Sequence, residues 1–263
     1  MSVIKSKIEE INNKGEKVLS VFITSGFPDK NYFIELVINI FNAGADILEI
    51  GIPFSDPIAD GVIIQKSSQI ALNNGVNISY TFECVKQIRK FKSNPIILMG
   101  YANPILAYGK NKFVKGAEEC GVNGLIIPDI PFEEQKLFFN TNKSKLDFIS
   151  LIAPTTPVKR IKMIDKISSG FVYCISVNGI TGKISNKEID KKYLLTINKN
   201  ISQNKSLVGF GITNPNDAKK VTPYCDGIIV GSAVIKMLLA EHMPYTKTLK
   251  LIRDIKNSLK NKN

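Results

Sequence analysis

Short apolar runs recur along the chain, each followed by a segment whose apolar residues fall at helical spacing. The runs are KVLSVFIT, ADILEIGI, PIILMGY, NGLIIPD, DFISLIA, GFVYCIS, SLVGFG and DGIIVGS. They are nearly continuous in hydrophobicity and rich in branched residues, the pattern of parallel strands covered on both faces. Between them lie stretches such as NYFIELVINIFNAG, KFVKGAEECG, EEQKLFFN and NPNDAKKVTPY. This alternation predicts right-handed crossover units and an α/β fold. Eight units in 263 residues fit one (β/α)8 TIM barrel over residues 1–263 better than an open doubly wound sheet. No GxGxxG follows the first run, and no Pro/Ser-rich linker divides the chain. Helical material exceeds the minimum in two places, so extra N-terminal and inserted helices are expected. One is the N-terminus, with Val3, Ile4, Ile8 and Ile11 at helical spacing; the other lies between GVIIQ and FECVKQIRKF.

Composition narrows the function classes. The apolar runs are far shorter than a membrane span, and MSVIKSKIEEINNKGEK lacks the apolar centre of a secretory signal. A cytoplasmic protein is expected. Cys84, Cys120, Cys174 and Cys225 form no CxxC pair, and His242 is the lone histidine, in a stretch read as helical. No metal site follows from that set, and buried free thiols are the better reading. The formal charge is +12, but arginine occurs only at 89, 160 and 253, and the lysines are spread along the chain. That describes a solvated basic surface rather than a nucleic-acid interface, and it favours an anionic small substrate.

Barrel active sites form at the C-terminal ends of the strands. There the second run continues as LEIGIPFSDPIADG, with Glu49 before the loop and Asp60 at its end. A buried glutamate requires a partner or a function: Glu49 is either half of a structural ion pair with a lysine or a catalytic acid. Asp60 either caps a helix beginning near Val62 or faces the barrel mouth, where paired carboxyls divide acid and base roles. Tyr173 in the sixth run is a core tyrosine in need of a hydrogen-bond partner. The last two runs end in GFGI and GSAVIK, where glycines and a helix N-terminus suit a phosphate. The polar segment SVNGITGKISNKEID reads as a lid with Gly179 and Gly182 as pivots and Thr181 near its tip, or as a plain surface loop.

EIGIPFSDPIADG, MGYANPI, PDIPFEE, SVNGITG, GFGI and GSAVIK, in that order, together resemble the tryptophan synthase alpha subunit family. The resemblance implies a (β/α)8 lyase that cleaves indole-3-glycerol phosphate to indole and glyceraldehyde 3-phosphate. It implies Glu49 and Asp60 as catalytic carboxyls and Tyr173 as their assistant. It also implies phosphate contacts at Gly182, Gly211, Gly231 and Ser232. An indole pocket would comprise Phe22, Met99, Ile126, Ile152 and Phe210, with Thr181 on the lid. The implied partner is a PLP-dependent beta subunit in an alpha2-beta2 complex, touched by the loop around Pro53, Asp56 and Pro57. No cofactor or metal is implied in this chain. Two departures are Val62, where many members have proline, and Ser176-Val177-Asn178, where some carry an arginine.

Overall fold

The computed structural model describes residues 2–139, 144–175, 190–209 and 211–260. The runs form strands β1 (Val18–Thr24), β2 (Ile47–Gly51), β3 (Ile96–Met99), β4 (Gly124–Ile126), β5 (Asp147–Phe148), β6 (Ser150–Ile152), β7 (Val172–Ile175), β8 (Ser206–Gly209) and β9 (Gly227–Val230). All neighbours pair in parallel, in the order β5-β4-β3-β2-β1-β9-β8-β7-β6. The two ends of that sheet, β5 and β6, are halves of the single run DFISLIA, separated only by Ile149. Ile149 N–H still donates to Leu125 O at 3.0 Å, so the eight runs close into a barrel through the fifth. The run divides because its first half pairs β4 and its second half pairs β7.

The continuous hydrophobicity of the runs conceals a period of two. Val18, Ile47, Ile97, Ile126, Ile149, Phe171, Tyr173, Leu207 and Ile229 make an inner cluster along the barrel axis. Their chain neighbours, such as Leu19, Leu48, Ile96, Leu98, Val172, Val208 and Ile228, join the larger cluster beneath the surrounding helices. Both faces of every strand are therefore dry, as a covered parallel sheet requires.

The N-terminal helix Val3–Asn13 seals the floor of this interior. Ser2 caps it, accepting the Lys5 N–H at 3.0 Å, and Ile4, Ile8 and Ile11 join the inner cluster. Val3, off that stripe, is exposed. A Cβ on Gly124 would stand 2.8 Å from Ile4 Cδ1, so the helix docks closely only because this strand position lacks a side chain. The second crossover holds two helices, Val62–Asn73 and Ile78–Ile88, one more than a strand–helix–strand unit needs, in line with the surplus expected there. His242 is not helical, however. It lies in an exposed connection between the helices Ser232–Ala240 and Thr246–Ser258. The final helix is tied to the floor by Lys256, whose Nζ donates to Asp46 Oδ2 at 2.8 Å.

Because Ile8 fills the barrel floor, Ile8→Ala should cost about 3 kcal/mol in urea denaturation, whereas Val3→Ala should stay within about 0.5 kcal/mol.

Candidate active site

Parallel pairing of β1 with β2 sets Phe22 beside Glu49, and pairing with β3 sets Glu49 beside Ile97. Glu49 shares the inward parity of Ile47, so its carboxyl lies over the apolar axis and is fully buried. Its Oε1 accepts the Ser20 hydroxyl at 2.7 Å, while Oε2 has no hydrogen-bond partner. Burial pushes the Glu49 carboxyl up to about 7, against the opposing pull of the Ser20 hydrogen bond. None of the ion pairs among the described residues includes Glu49, so the structural lysine pair fails as an account of it.

Other buried or half-buried acids are satisfied. Asp165 accepts the N–H groups of Ser202, Gln203 and Asn204 at 2.8, 2.9 and 2.9 Å. Asp46 accepts the Leu19 N–H as well as Lys256. Those two pin loops and helices, whereas Glu49 keeps an oxygen free. A buried polar atom without a partner costs roughly 1–3 kcal/mol, which a folding role does not explain.

Asp60 ends the loop that leaves β2. The following helix begins at Val62 as expected, but its N-cap is Gly61, with no side-chain cap, so Asp60 is not the capping residue. Burial pushes the Asp60 carboxyl up to about 6, against the opposing pull of the nearby Tyr101 hydroxyl. The same hydroxyl accepts the Ala59 N–H at 3.1 Å, so Tyr101 holds the end of the loop. Phe54 packs on its ring at a centroid distance of 5.5 Å. Pro53 and Pro57 are buried; Asp56 is exposed, and Ile58 is 77% exposed.

Tyr173 projects inward from β7 and is buried. Its phenol is held well above the ordinary range by burial first, then by the charges of Glu49 and Asp60, which brings all three groups into one field. A Cβ on Gly209 would lie 2.5 Å from the Tyr173 hydroxyl, so the glycine makes room for it. Gly51 does the same for Phe22, whose Cζ would meet an added Cβ at 2.5 Å; Gly231 approaches Phe22 from the other side.

Of the expected indole-pocket residues, Ile126 lies in the inner cluster and Met99 packs against it. Ile152 is buried and, like Phe22, packs with the larger cluster, while Leu151 packs against the inner one. Gly231 is the N-cap of the helix that opens with Ser232 and has no side-chain cap, while Gly211 sits at φ +84°. Gly179, Thr181, Gly182 and Phe210 lie outside the described residues. Ser20 and Tyr101 are the contacts that reading the sequence did not single out. Ser20 was detectable as a polar residue two positions before Phe22 on the same strand face, and Tyr101 as the tyrosine closing MGY.

The four cysteines are free and buried. Burial pushes the Cys84 and Cys120 thiols up to about 11 and Cys225 up to about 12, and it holds Cys174 well above its ordinary range. Thiolate chemistry is thus disfavoured. Among the described residues, no group of His, Cys, Asp and Glu could hold a metal ion, and no helix is long and apolar enough to cross a membrane.

A closed barrel with two carboxyls of raised proton affinity and a phenol at its C-terminal mouth defines an acid–base barrel enzyme. A sequence model described as "Tryptophan synthase alpha chain" matches residues 8–262, and the chain belongs to that family. The alpha chain of Petrotoga mobilis is 43% identical over 257 residues, covering 97% of this chain and 99% of the relative. That of Methanocaldococcus jannaschii is 42% identical over 237 residues, covering 89% and 84%. The crystal structure of tryptophan synthase subunit alpha from Legionella pneumophila str. Paris superposes with a TM-score of 0.88 at 33% identity, covering 98% of both chains. The chain is accordingly a carbon–carbon lyase of tryptophan biosynthesis that cleaves indole-3-glycerol phosphate.

The Glu49 environment has a measurable consequence for stability. Below pH 4.5 both folded and unfolded chains keep the proton; as pH rises to about 7 the unfolded chain ionises first. Stability should therefore fall by roughly 3 kcal/mol across that window and then level off. Glu49→Gln removes this loss, so urea denaturation at pH 4.5, 6 and 8 should show the variant gaining on the wild type as pH rises.

Proposed function

We propose that Glu49, Asp60 and Tyr173 carry the retro-aldol cleavage, with Glu49 as the proton-exchanging group. The observation that carries this reading is the fully buried Glu49 carboxyl, raised to about 7, with one oxygen unbonded. Cleavage breaks the bond between indole C3 and the hydroxyl-bearing carbon of the side chain. C3 must gain a proton, and that hydroxyl must lose one as it becomes the aldehyde. A carboxyl balanced near neutrality can give the first and accept the second, ending in its starting state. Asp60, raised only to about 6, is mostly ionised at pH 7.5 and is suited to stabilise the positive charge that forms on the ring. The Tyr173 phenol, held protonated, donates within the same field.

The phosphate of the substrate is assigned to Gly182, Gly211, Gly231 and Ser232. The uncapped helix start at Gly231 and the positive φ at Gly211 support the last three. Phe22, Met99 and Ile126 supply the apolar wall, and the segment with Gly179 and Thr181 is the proposed lid. In this reading indole passes to a PLP-dependent beta subunit in a cytoplasmic alpha2-beta2 assembly. The loop carrying Pro53, Asp56 and Pro57 is the contact, and the high exposure of Ile58 on that loop supports it.

Glu49→Gln and Asp60→Asn should each reduce indole release from indole-3-glycerol phosphate by about 10²–10³-fold while leaving the circular dichroism spectrum unchanged. Near-normal turnover in Glu49→Gln would refute the proton-exchange role.

A further inference from the structure

We infer that Ser20 is a positioning residue: its hydroxyl anchors Glu49 Oε1 and so reserves Oε2 for proton exchange with the substrate. This rests on the reading of Glu49 as the acid–base group, and it explains three features of β1 and β2 together.

Ser20 is a fully buried polar residue in an inward position where the neighbouring strands offer Ile47 and Ile229. By packing alone a branched apolar side chain belongs there, because a hydroxyl taken from water without a partner destabilises the fold. Its partner is Glu49 Oε1 at 2.7 Å. The register sets Phe22 beside Glu49 and Ser20 beside Ile47, one inward step nearer the floor. The hydroxyl thus reaches Glu49 from the floor side and draws Oε1 that way.

The bond also sorts the two oxygens chemically. A hydroxyl donates to a carboxylate and equally to the carbonyl oxygen of a carboxylic acid, so the contact persists in both protonation states with the proton carried on Oε2. The oxygen left unpartnered is the one the chemistry needs. A hydrogen bond to the ionised form is the stronger, so Ser20 also opposes the rise that burial imposes. Among the described residues, Tyr173 from β7 is the titratable group that shares a field with Glu49, and it also feels Asp60 from the loop after β2. The inward positions of the other strands carry no charge: Ile97 and Met99, Ile126, Ile149 and Leu151, Leu207, and Ile229.

The test compares Ser20→Ala and Ser20→Thr in the full chain, by 13C-glutamate NMR titration of Glu49 and by the pH dependence of indole release. In Ser20→Ala the Glu49 midpoint should rise by roughly one pH unit. The acid limb of kcat/KM should move with it, and kcat should fall about tenfold while KM changes less than twofold. Ser20→Thr, which keeps the hydroxyl, should restore both midpoint and limb. A Glu49 midpoint and acid limb unmoved in Ser20→Ala would overturn the inference, even if turnover fell. If Ser20→Ala shifts the Glu49 titration while Glu49→Gln keeps normal turnover, the anchor stands and the catalytic assignment of Glu49 falls.

Discussion

Closing the parallel sheet into a ring excludes water from its axis, and Glu49 stands at the upper limit of that dry interior. Below it lie Ile47, Ile229 and the floor helix; around it lie Phe22, Ile97 and Tyr173. Desolvation by this surround is the largest influence on its proton affinity. The closure through β5 and β6, the glycine at 124 that admits the floor helix and the two-sided burial of each strand all serve that exclusion.

The loop from Gly51 to Asp60 joins this interior to the rim. Tyr101, just beyond β3, fastens its end through the Ala59 N–H and lies near the Asp60 carboxyl. The buried prolines at 53 and 57 stiffen the path, and Ile58 stands in solvent at the outermost point. A displacement of that outer segment reaches Asp60 through only a few bonds.

The basic surface bears on the substrate only through long-range attraction. Exposed pairs such as Lys7–Glu10 and Lys115–Glu119 contribute little to stability. Lys256 is different: it reaches half-buried Asp46 and joins the last helix to the barrel floor. A net charge of +12 still concentrates a phosphorylated anion near the protein.

The alternation of branched apolar runs with amphipathic stretches determined the barrel, because both patterns report burial that is local to each element. The motif EIGIPFSDPIADG likewise marked Glu49 and Asp60, since acids at a strand end and a loop end stand out against apolar surroundings. Which face of a strand points to the axis was hidden by hydrophobicity on both faces. That is why Ser20 passed unnoticed. The division of the fifth run likewise follows from which neighbour each half pairs with, a long-range property. Only the closed structure decided that Asp60 lies near Tyr101 rather than capping a helix, and that Glu49 keeps one oxygen free. Hydrogen-bond partners come from residues tens of positions apart, and no local pattern encodes them.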